Sequence, residues 1–292
     1  MREIAERDGG ARSRIAAAVI LAAATALYLS LSIRPAHQPI ARMELGWMGA
    51  AESYHREGVP KWYVKPWKFF NQQPHLYPML TSAAFGIFGE SVPAARGFGV
   101  LCGGITILMI YLMVKSLGRG DSPGRGIEAA LWALFYAACP GVIHGFPIID
   151  LDNSLLVPAN TLFCWMCALY VSRAYDPADS SRDDAWRAAG VAASFALALW
   201  VKITTPPVLA VMFLAAFASS DADKRRRSAF AAALAAGFLA FLASWYVYCS
   251  FKHFPFMPPF EYAVSQLNAT SNYPASRPFT MISNAVQTLL WF

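Results

Sequence analysis

Residues 92–114 read VPAARGFGVLCGGITILMIYLMV. This run of 23 residues holds one charge, Arg96, near its start. At 1.5 Å of rise per residue a helix of that length spans the hydrocarbon core of a bilayer, which needs about 20 apolar residues. A soluble protein would have to bury such a helix on every side. The rest of the chain repeats the pattern. Ile15–Ile33 carries no charge and follows Arg2, Arg7, Arg12 and Arg14. It reads as a first transmembrane helix with its arginines inside, because it is long for a leader and shows no small-residue cleavage site. Further apolar blocks run over 127–149, 154–172, 188–201, 206–219 and 229–248. Leu76–Phe88 is apolar but too short to cross.

Composition agrees. Of 292 residues, 57 % are hydrophobic and 14 % charged, against about 25 % charged in soluble domains. Mean hydropathy is +0.38. The net charge of +6 comes from basic residues between the apolar blocks. These read as topology determinants and lipid-headgroup contacts, and no basic, aromatic-interleaved module points to nucleic acid. Cys164 and Cys167 have a redox-like spacing, but Phe163, Trp165, Met166 and Leu169 around them mark two small buried residues.

The basic loops 115–126, 173–187 and 224–227 belong on the cytoplasmic side by the positive-inside rule. They alternate correctly with the spans only if Leu76–Phe88 does not cross. The expected fold is therefore all-α: a polytopic transmembrane bundle of about seven spans with interfacial helices on its outer face. One domain is expected over 1–292. Its segment 34–91 forms an outer loop with an interfacial helix at Ala41–Glu57 and a re-entrant piece at Leu76–Phe88. Trp47, Trp62, Tyr63 and Trp67 fit an aromatic belt. An Ala- and Arg-rich composition points to a bacterial inner membrane, with the N-terminus cytoplasmic and the site periplasmic.

The outer face then collects the polar residues. Glu44 shares a helical face with Met48, Ala51 and His55, and reads either as a general base or as an acid favoured by the helix start. Asp150 and Asp152 precede a span and are either N-terminal caps or ligand contacts. Lys202 lies between Trp200 and Pro206–Pro207, and either snorkels or binds an anion such as phosphate. No zinc-like spacing, Walker motif, dinucleotide fingerprint or nucleophile elbow is present. A divalent ion on acidic side chains stays open, with no cofactor implied. Asn268-Ala269-Thr270 matches a glycosylation acceptor pattern.

Taken in order, these pieces resemble the GT-C superfamily of polytopic glycosyltransferases, in particular protein O-mannosyltransferases and aminoarabinose lipid A transferases. Met43-Glu44 stands where the family has an Asp-Glu motif, and Gly58 to Trp62 resembles the break that follows. Gln73-Pro74-His75-Leu76-Tyr77-Pro78 and Phe88-Gly89-Glu90-Ser91 resemble its proline–tyrosine element and Phe-Gly-x-Ser turn. Arg96 resembles the arginine opening the next helix. Asp152-Asn153-Ser154-Leu155, Val201-Lys202-Ile203-Thr204 and Trp245-Tyr246 resemble the second acidic motif, the lysine turn and a helix-ending aromatic pair. The chain departs at Met43, where the family often has its catalytic aspartate, and at Pro74-His75. It stops at Leu289-Leu290-Trp291-Phe292, where another span would begin, so it reads as shorter than the family's usual length.

The resemblance implies a polyprenyl-phosphate sugar as donor, membrane lipid as surroundings and an acceptor of unstated kind. Glu44 and Asp152 would be catalytic, with Glu44 as base in an inverting transfer. Lys202, Arg96, His75, Tyr77, Asp150 and His55 would bind substrate, Lys202 and Arg96 through the phosphate. Two other readings are a transporter of lipid-linked substrates and a non-catalytic GT-C-like subunit with protein partners.

Overall fold

The computed structural model describes residues 2–61, 73–117, 124–173, 181–220 and 223–271. The expected Trp62, Tyr63 and Trp67 belt, and the apolar run 279–292, lie outside them. Eleven helices occupy the described residues: α1 (Arg2–Ala36), α2 (Arg42–Glu57), α3 (Leu76–Phe88), α4 (Val92–Leu117), α5 (Arg125–Ala137), α6 (Pro140–Gly145), α7 (Leu156–Arg173), α8 (Ser181–Val201), α9 (Thr205–Ala218), α10 (Lys224–Lys252) and α11 (Pro258–Ser271).

Three of these are long and apolar enough to cross a membrane: Ala11–Ala36 within α1, α4 and α10. α3, α7 and α9 are shorter apolar helices. The expected span 127–149 is instead broken. α5 stops at Ala137 and α6 starts at Pro140. Proline has no N–H to give to the preceding turn, so it opens a helix more readily than it continues one. α8 begins at Ser181, seven residues before the expected 188, and carries Arg182, Asp183, Asp184 and Arg187 into its first turns.

α1 packs on α5, α4 and α6, α4 on α5 and α7, α7 on α8, and α8 on α10, while α9 rests on α10, α7 and α8. Lipid tails are as apolar as leucine, so close backbone approach between membrane helices depends on small side chains. Gly99 faces the carbonyl of Phe146, Gly103 faces the Tyr28 ring, and Gly237 faces the backbone of Ala192. A Cβ at any of these would collide. The aromatic layer Phe163, Phe195, Tyr170, Phe217 and Phe230 fills the interior between α7, α8, α9 and α10.

The helix ends sort into two groups. At one end Trp165 donates to Ser116, Tyr170 donates to the carbonyl of Arg226, and Asp184 pairs with Arg226 and Arg187. These residues join the end of α4, the second half of α7 and the starts of α8 and α10. At the other end the close of α1 meets the start of α4, and the close of α8 meets the residues before α7. Both ends of α3 lie in this second group. His75 before it packs on Trp245, Tyr248 and Phe254 at the close of α10, and Gly89 after it turns into α4. Both ends of α3 therefore meet elements of this end of the bundle, and α2 packs beside it.

Candidate functional site

The site is organised by the turn 149–154 between α6 and α7. Glu44 reaches it from α2. Its carboxylate closes the first turn of its own helix by accepting from the Ala41 N–H at 2.7 Å, the reciprocal half of a capping box. It also accepts from the Ile149 N–H at 2.8 Å. Arg96 completes the set, donating through Nε to Oε1 at 3.2 Å and through a terminal nitrogen to Oε2 at 2.9 Å. The other terminal N–H groups of Arg96 go to the carbonyls of Ala36, Gln38 and Pro39. A guanidinium has five N–H donors, and here all five are engaged. Both side chains are sealed, at 3 % and 4 % exposure.

Burial by itself would raise the proton affinity of Glu44. The hydrogen bonds from Arg96, Ala41 and Ile149, with the arginine's charge, outweigh it and hold the carboxyl below the usual 4.5. Glu44, expected as a base, is in this arrangement a buried strut paired with Arg96. Arg96, expected at a phosphate, has no N–H left for one.

Three residues past Ile149 the character changes. Asp152 receives the Lys202 ammonium on both oxygens, at 2.6 and 2.7 Å. Its side chain is 48 % exposed and that of Lys202 20 %. Lys202 follows the last residue of α8, and the next N–H, of Ile203, is held by the buried Gln73 carbonyl at 3.4 Å. Asp150, between the two pairs, accepts from the Asn153 amide at 2.9 Å. Burial, then the neighbouring Asp152 charge, push its carboxyl above the usual 3.8. Ser154 donates to the Asp150 carbonyl and ties the turn to the start of α7.

The remaining expected residues fall in different places. Tyr77 is fully enclosed beside Ser154 and Asp150, with Trp47 edge-on at 5.3 Å, and burial raises its proton affinity. His75 is 1 % exposed, 3.1 Å from the Tyr248 hydroxyl and ringed by Trp245, Tyr248 and Phe254. It serves as a packing post between α3 and α10. His55 is exposed and stands edge-on to Phe85 in α3. It sits eleven residues past Glu44, about 16 Å along the helix, and does not join the group. Among the described residues no three His, Cys, Asp or Glu side chains group as a metal ligand set.

The sequence marked Gln73 only as part of a motif, and gave no sign of Tyr248 or the Ile149 N–H. Gln73 and Tyr248 carry no spacing signal, because their partners Ile203 and His75 lie 130 and 173 residues away. A backbone donor such as Ile149 carries no residue signature at all.

These features define a polytopic helical membrane protein with a polar site built on the turns at one end of its bundle. The profile of the dolichyl-phosphate-mannose-protein mannosyltransferase family matches residues 72–248, more than half of the chain. The chain belongs to that family, of the GT-C glycosyltransferase type. The match runs from just before α3 into α10, so it includes Arg96, Asp150, Asp152 and Lys202 and leaves Met43 and Glu44 outside. Comparison with curated proteins and with solved structures gives no match.

Proposed function

We propose that the protein transfers a sugar from a polyprenyl-phosphate donor to an acceptor hydroxyl at the outer face of the membrane, with inversion at the anomeric carbon. The observation that carries this reading is the Lys202–Asp152 pair: an accessible cation and carboxylate that meet from two helix-end turns at the same end of the bundle, within the matched region. Lys202 donates to the donor phosphate. Asp152 takes the acceptor proton as the acceptor oxygen bonds to the anomeric carbon and the bond from that carbon to the phosphate oxygen breaks. The phosphate leaves with the lipid. The leaving group is already an anion, so the site needs to position a base and hold a charge. Asp150 tunes the turn, and Glu44 with Arg96 fixes it. In this reading the helices alternate through about seven spans, α2 and α3 lie in the outer interface, and the membrane is a bacterial inner membrane.

The test is donor consumption by the purified protein across a panel of polyprenyl-phosphate sugars, with Asp152→Asn alongside. Consumption of one donor by the parent and not by the variant supports the reading. A folded parent that consumes none overturns it.

A second reading, a non-catalytic subunit with protein partners, is favoured by one observation: Met43 stands in the acid's place and Glu44 is sealed against Arg96. The same panel separates the two.

A further inference from the structure

Both oxygens of Asp152 are held by the Lys202 ammonium. An ammonium that sits across both oxygens stands between the carboxylate and an incoming hydroxyl. Three features make the arrangement displaceable. The pair is open to water on the Asp152 side. The cation is a lysine, a compact charge on a flexible stem, and not a forked guanidinium locked to its partner. The backbone at 202–204 is non-helical but pinned, since Gln73 holds the Ile203 N–H, so the side chain swings without unwinding α8.

Resting on the proposed function, we infer that the donor phosphate exchanges with Asp152 for Lys202, and that this exchange is what exposes Asp152 as the base. The donor phosphodiester matches the carboxylate in charge and in free oxygens, and its lipid tail holds it at the membrane surface beside the ammonium, which raises its effective concentration there and lets it compete. Asp150, the nearest other acid, stays bound to Asn153 and within its own turn. The consequence is an ordered reaction. The donor binds first, and the acceptor is deprotonated only in its presence. Glu44 takes no part, because its four donors are all protein groups.

The experiment is carboxylate labelling of the full-length protein in nanodiscs, with a water-soluble carbodiimide and an amine, read by peptide mass spectrometry. The probe is a polyprenyl monophosphate without sugar, and native mass spectrometry reports whether it is bound. Labelling of Asp152 rises several-fold when the lipid binds, and Glu44 stays unlabelled with and without it. In Lys202→Gln, Asp152 is labelled at the high level from the outset and the lipid adds nothing. Bound lipid with Asp152 labelling unchanged or lowered overturns the exchange and leaves the proposed function standing. Failure of the lipid to bind overturns both.

Discussion

Glu44–Arg96 and Asp152–Lys202 flank the same turn and join neighbouring elements at the same end of the bundle, yet their surroundings differ in every respect that sets their energetics. The first pair is sealed, uses all five guanidinium donors and draws on backbone groups from the α1–α2 connection and from Ile149. The second is a lone ammonium on a half-exposed carboxylate. Taking charge out of water is costly unless each donor and acceptor is met, and only the first pair meets that condition. It is therefore a strut: it binds α1, α2, α4 and the 149–154 turn into one body. The second contributes little to stability and stays available to a ligand. Burial and donor count tell the two pairs apart: the first is architecture, and the second is the one proposed to act on substrate.

The comparison breaks first at Arg96. Arg96→Met strands the Glu44 carboxylate in a closed site, and such losses run to about 3–5 kcal/mol. The expected outcome is a large fall in thermal midpoint in detergent, partly restored by adding Glu44→Gln. Lys202→Gln should leave the midpoint within what a surface pair contributes, about 0–1 kcal/mol, while donor consumption is abolished. Equal destabilisation by the two substitutions would erase the distinction.

Acid titration sharpens it. The folded-state value of Glu44 is depressed below 4.5. Its stabilising contribution is thus fully present above the unfolded value and is lost as pH falls through the folded one. The thermal midpoint of the parent should drop below about pH 4.5, and Glu44→Gln should lack that component of the drop. Tyr248→Phe removes the hydroxyl beside His75 and should cost about 1 kcal/mol, with donor use retained. His55→Ala, away from the turn, should change neither midpoint nor turnover.

Much of the fold could be read because a bilayer imposes its thickness on the sequence. Apolar blocks marked α1, α4 and α10, and block length marked Leu76–Phe88 as a shorter apolar helix. Hydropathy could not register the break before Pro140, since residues on both sides stay apolar. It also missed the first turns of α8, whose charged residues are helical without being apolar. For the site, Glu44, Asp152 and Lys202 stood out by residue type and position, and Arg96 through the family resemblance. Their pairing was not. The partners lie 52 and 50 residues apart, and charge says nothing about which cation a carboxylate meets after the helices pack. The helical face shared by Glu44, Met48, Ala51 and His55 was legible too, but α3 covers that face, and its far end meets Phe85 and not the turn.

The most direct test of the division between strut and reagent is the turnover of a polyprenyl-phosphate sugar by Asp152→Asn, measured beside its melting curve. The substitution keeps the side chain's shape and removes its basicity. A loss of about 10²–10⁴-fold in rate with the parent's melting midpoint is the predicted result. Full turnover by the variant, or loss of turnover only in step with loss of folded protein, would contradict it.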